Sequence, residues 1–169
     1  MTTQVPIAEG LFTWPDDEPR LLGSRCTACG NHMFPQQDGC SRCSGDSTET
    51  VELARRGTLW TWTVQAFPPK APPFAGDDDP ATFEPFGVGY IDLDGKLLVE
   101  SRITLADPDD LEIGMELELL IEPLYVNDSG DEVVTFAFGP CDSGNEDGGG
   151  AAGAAGANPA SGADQRVGA

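Results

Sequence analysis

Apolar and polar residues alternate through the middle of this chain, and the spacing is that of strands rather than helices. In residues 57–66 threonine alternates with large apolar side chains (Thr58, Leu59, Trp60, Thr61, Trp62, Thr63, Val64), the period-two pattern of a half-buried strand. Residues 86–93 and 96–104 are apolar runs on either side of Asp94-Gly95, a pair that accepts the left-handed backbone of a tight hairpin turn. Residues 115–122 alternate Met, Leu and Ile with acids, and residues 133–138 follow the turn formers Asn127, Asp128, Ser129 and Gly130. Residues 21–25 form a further short strand, residues 44–50 a polar turn, and residues 107–111 have room for one helical turn. The prediction is a mainly β protein. Its five main strands with a hairpin in the middle suit a small closed barrel, because closure removes exposed strand edges. A five-stranded OB-fold is the first choice. An SH3-like barrel has the same strand count, and periodicity does not separate the two.

Three segments break the pattern. Residues 1–20 carry Ile7, Leu11, Phe12 and Trp14 among Pro6, Pro15 and Pro19, which makes an arm or a short amphipathic helix. Its apolar groups either cover the main core or mark a surface that docks on a partner. Residues 67–85 hold six prolines, the acids Asp77, Asp78 and Asp79, and Phe67, Phe74 and Phe83. A connection this long is a functional loop contacting a partner or ligand, or else a solvated excursion. Residues 142–169 are nearly all Gly, Ala, Ser, Asn and Asp, with Val167 the one large aliphatic side chain. They bury too little apolar surface to offset the entropy of ordering and read as a disordered tail.

Chemistry concentrates in four cysteines, Cys26 and Cys29 in one Cys-x-x-Cys pair and Cys40 and Cys43 in a second. Each pair presents two thiolates from a tight turn, and the hairpin between them, broken at Pro35, brings the pairs together. Four sulfurs in tetrahedral array suit one structural zinc ion with no coordination position left open. Iron on the same four thiolates, as in an electron carrier of the rubredoxin type, is the alternative that spacing leaves standing. Gly30 and Gly45 fit the two turns. His32, the single histidine, is a surface side chain of the hairpin. The chain therefore divides into an arm (1–20), a zinc ribbon (21–50), a barrel (51–141) and a tail (142–169).

Charge narrows the function. The formal net charge is −20, and Lys70 and Lys96 are the only lysines. Nucleic-acid binding depends on cations that displace counterions from phosphate, so single-strand binding on Trp60, Trp62 and Phe86 is the weaker reading of a barrel of this kind. An anionic membrane surface is disfavoured on the same ground. No apolar run is long enough to cross a bilayer, and four cysteines reserved for metal point to the cytoplasm. No catalytic constellation is visible. A Ser-His-Asp or Cys-His pair needs a histidine away from the metal. Cys141 stands beside Pro140 and Asp142, where a carboxylate raises rather than lowers a thiol pKa.

These residues resemble a known family, the thiolase-associated proteins that join a rubredoxin-like zinc ribbon to an OB-fold. The matching positions are Leu22 and the pairs Cys26/Cys29-Gly30 and Cys40/Cys43 with Phe34-Pro35 between them. Gly57-Thr58-Leu59, residues 85–93, Ile113-Gly114-Met115 and residues 136–140 complete the set. The resemblance implies a non-catalytic accessory subunit of a thiolase or aldolase acting on acyl-CoA. In such a complex the partner supplies the catalytic groups, while the zinc ribbon holds the architecture. The OB domain docks on the partner, shapes the acyl-CoA channel or helps hold CoA. Phosphate contacts would fall to the few arginines (Arg25, Arg42, Arg55, Arg56, Arg102) or to the partner, so no CoA-contacting residue is assigned.

Overall fold

The computed structural model describes residues 3–70, 74, 76 and 79–141; the tail expected over 142–169 lies outside them. Five strands close a barrel: β5 (Arg56–Gln65), β6 (Phe86–Leu93), β7 (Leu97–Ile103), β8 (Glu116–Val126) and β9 (Glu132–Pro140). β5, β6 and β7 form an antiparallel meander, β8 returns to β5, and β9 lies between β8 and β7. The closing contact is parallel, Ile103 against Phe138. This strand order, with the third and fifth strands parallel, is that of an OB-fold and removes the SH3-like alternative.

Local chemistry sets the turns. Asp94 and Gly95 both have positive φ, 58° and 66°, as the hairpin turn between β6 and β7 demands. The expected helical turn is a 3-10 turn at Pro108–Asp110, where the Asp107 side chain accepts from the Asp109 N–H. Asn127 Oδ1 accepts from the N–H groups of Ser129 and Asp131 and shapes the β8–β9 connection.

A second sheet of three strands orders β3 (His32–Met33), β2 (Leu22–Cys26) and β4 (Thr48–Glu52). Here the expectation of a polar turn over 44–50 is corrected, because Thr48–Glu52 pairs with the whole of β2 from Cys26↔Thr48 to Leu22↔Glu52. Its outward polar residues hid the pattern, and the neighbouring strand supplies what intrinsic preference does not. The N-terminal segment forms β1 (Gln4–Pro6), a parallel strand beside β9. Phe12 then bridges to Leu21 and is buried, with Leu11 and Trp14 packed on the same cluster. Those side chains cover the core.

That core is shared by both sheets. Leu59, Ile91, Val99, Ile103, Leu117, Leu119, Val134 and Phe138 of the barrel cluster with Phe12, Leu21 and Leu53 from the ribbon side. Burying each such large side chain is worth about 1.5–3 kcal/mol. Cys26, Met33 and Cys40 form a separate small cluster at the far end of the ribbon.

Candidate metal centre

β2 ends at Cys26, and the chain turns through Thr27, Ala28, Cys29 and Gly30 before returning as β3. The Gly30 N–H donates to the Cys26 carbonyl at 2.9 Å, the Cys26 N–H donates to the Asn31 carbonyl at 2.9 Å, and Gly30 has φ +72°. The second pair repeats this turn: the Ser44 N–H donates to the Cys40 carbonyl at 2.9 Å and the Cys40 N–H to the Gly45 carbonyl at 2.7 Å. The left-handed residue is now Ser44, at φ +58°. Gly45, expected to serve that turn, stands one place after it and turns its N–H toward the Cys43 sulfur. The two turns are tied together where Thr27 Oγ1 donates to Ser47 Oγ at 2.8 Å.

The four sulfurs converge. All lie within 4.8 Å of one another, with Cys26–Cys43 and Cys29–Cys40 each at 3.6 Å. A tetrahedral ion with bonds of ~2.3 Å to sulfur sets its ligands about 3.8 Å apart, so the present spacing fits zinc. Cys26 and Cys40 are buried, whereas Cys29 and Cys43 are exposed.

The electrostatics fit the same ion. The Cys29 backbone N–H beside Cys26 leads in lowering that thiol's pKa. The Cys43 N–H does the same for Cys40, which falls to about 6. At Cys43 the Gly45 N–H pulls down, but the sulfurs of Cys29, Cys26 and Cys40 outweigh it and push the thiol up to about 12. Four thiolates crowded this closely cannot all ionise without a cation among them. A dication removes that conflict.

The remaining candidates fall elsewhere. His32 lies on β3 opposite Arg25. It lines a small cleft between the ribbon and the β6–β7 hairpin with Glu52, Asp94 and Lys96. Cys141 has its pKa raised, chiefly by burial; Arg56 lowers it, and Glu118 and Glu116 raise it. Trp62 packs against the core and Phe86 lies under the Arg102 guanidinium at 4.5 Å, whereas Trp60 is exposed. These three rings do not make one stacking platform. The arginines are largely engaged: Arg25 with Glu49, Arg55 and Arg56 with Glu118, and Arg102 with Glu122. Phe83 returns from the long loop to meet Phe86 edge-on at 5.9 Å. No described helix is long and apolar enough to cross a membrane.

The chain aligns with known proteins in two adjoining blocks. Residues 13–49 match the ChsH2 rubredoxin-like zinc ribbon domain and residues 50–122 the ChsH2 C-terminal OB-fold domain. The chain belongs to the ChsH2 family. Its ribbon carries the four cysteines positioned to hold one metal ion. One similar protein is the benzoylsuccinyl-CoA thiolase subunit BbsA of Thauera aromatica. It is 31% identical over 120 residues, which cover 71% of this ChsH2-family chain and 76% of BbsA. Another is a DUF35 domain-containing scaffold protein of Methanothermobacter thermautotrophicus, 28% identical over 78% of this chain and 95% of the relative. Among solved structures the Ltp2-ChsH2(DUF35) aldolase superposes with a TM-score of 0.51 at 26% identity, over 72% of this chain and 84% of that one.

Proposed function

We propose that this ChsH2-family chain is a non-catalytic subunit of a thiolase-superfamily enzyme, a thiolase or aldolase that acts on acyl-CoA in the cytoplasm. One zinc ion on Cys26, Cys29, Cys40 and Cys43 holds the ribbon; the barrel docks on the partner and helps shape its acyl-CoA channel. The observation that carries this reading is the likeness to a thiolase subunit over most of the length of both chains.

The local chemistry supports it. Four thiolates complete a tetrahedral zinc shell, which leaves no position for substrate or water and makes the ion structural. The single histidine lies on β3 opposite Arg25 and lines a cleft with Glu52, Asp94 and Lys96, none of which is a thiol or hydroxyl that it could activate. With Arg55, Arg56 and Arg102 paired to carboxylates on a chain of net charge −20, the phosphates of CoA are held mainly by the partner. The same balance argues against nucleic acid as a ligand.

The test is affinity capture of the tagged full chain from its own host, with the bound proteins identified by mass spectrometry. Recovery of a thiolase-superfamily subunit in near-equal amount is expected. Recovery of no such enzyme overturns the reading.

A further inference from the structure

β5 contains one residue too many for its partner strand. Leu59 pairs with Ile91 and Thr61 with Tyr90, and Trp60 is the extra residue between them. Such a bulge re-aims a side chain. Without it, strict alternation sets Trp60 on the same face as Trp62 and Val64, both of which pack against the core. With it, Leu59 is buried and Trp60 is left 57% exposed.

Trp60 does not stand alone. The Leu59 N–H donates to the Met115 carbonyl at 2.9 Å and the Gly114 N–H to the Leu59 carbonyl at 2.7 Å. This pair of bonds brings the backbone of residue 113 alongside that of residue 60. Ile113 is 65% exposed, so two large apolar side chains flank one short stretch of ladder in open solvent. The surround is acidic: Asp109, Asp110, Glu112 and Glu116 are exposed, and no lysine or arginine occurs between Arg102 and Cys141.

We infer that Trp60 and Ile113 are the anchor by which this chain docks on its enzyme partner, and that they enter an apolar pocket rimmed by lysine and arginine. This rests on the reading of the chain as a thiolase-superfamily subunit. Charge decides the occupant. An acidic rim on a chain of net charge −20 repels a second copy, an anionic bilayer and nucleic acid alike, whereas a basic-rimmed protein surface is attracted. A tryptophan projecting from a rigid sheet is the residue type that most often dominates an interface.

The experiment measures binding of the full chain to the thiolase-superfamily enzyme recovered with it, comparing wild type with Trp60→Ala, Ile113→Ser and Glu112→Lys/Glu116→Lys. The side chains are exposed, so each variant should keep the wild-type circular dichroism and zinc content. Trp60→Ala is expected to weaken the complex about 30-fold or more, Ile113→Ser to weaken it less, and the charge reversal to slow association and flatten its salt dependence. If wild type binds the enzyme and a folded Trp60→Ala binds equally well, this inference is overturned and the subunit reading stands. If wild type captures no such enzyme, both fall together.

Discussion

Phe34, in the ribbon loop between the two cysteine pairs, meets Phe136 on β9 edge to face, with ring centroids 5.5 Å apart. The contact joins the ribbon to the barrel, as do Leu21 and Leu53, which are tied to each other by the backbone bond from the Leu53 N–H to the Leu21 carbonyl and are buried in the barrel core. Ribbon and barrel are therefore expected to unfold together. Phe34→Ala and Phe136→Ala should each destabilise the chain. In a double-mutant cycle followed by chemical denaturation they should couple by about 1 kcal/mol. Strictly additive losses would show that the two rings do not support each other.

The sulfur cluster lies at the far end of the ribbon and belongs to its own small apolar group. Cys40→Ser should abolish stoichiometric zinc, read by elemental mass spectrometry, and expose the two cysteine turns to protease, while Leu21 and Leu53 stay packed on the barrel. The barrel strands should keep their circular dichroism. Zinc bound in full by the Cys40→Ser chain would contradict the four-thiolate site.

Zinc binding should also depend on pH in a fixed direction. The ion needs thiolates, and Cys43, held up to about 12 without a cation, gives up its proton on binding. Protons therefore compete with zinc, so the stability supplied by the ion is present at neutral pH and lost as pH falls. A chelator titration at several pH values should show tighter retention at higher pH. Retention that does not change with pH would contradict the sign.

Ser44 occupies a left-handed position at φ +58° that glycine fills in the first turn, where Gly30 has φ +72°. An L side chain pays for that backbone with about 1 kcal/mol. Ser44→Gly is therefore expected to raise the thermal midpoint slightly, with unchanged zinc content. A lower midpoint would mean that the serine side chain makes a contact worth more than the strain.

Gly89 is the opposite case, a position that a side chain would destabilise. A Cβ there would lie 2.6 Å from the Thr61 carbonyl oxygen and 2.8 Å from side-chain atoms of Ile103 and Leu59. β6 can come this close to its neighbours only without a side chain. Gly89→Ala should lower stability by ~1–3 kcal/mol in thermal or denaturant unfolding. A neutral result would show that the barrel relaxes at this point.

Much of this fold was legible because the barrel strands carry a period-two pattern and the Asp94-Gly95 turn has a strong local signal. The cysteine spacing identified the candidate metal group on the same footing. What escaped depends on partners distant in sequence. Thr48–Glu52 is a strand only because β2 lies beside it. β8 runs on through Pro123 because a bulge before Tyr125 accommodates the missing donor. The exposure of Trp60 is not legible from alternation, since a bulge adds one residue to a strand without changing its composition. Ser44 was missed because the glycine that marks such a turn stands one place later.

The most direct test of the central claim is light scattering on the full chain co-expressed with a thiolase-superfamily enzyme of its host. One stable heteromeric species containing both chains and zinc is expected, with all acyl-CoA turnover lost when the enzyme's own catalytic residues are replaced. Two species that elute separately, or turnover by this chain alone, would contradict it.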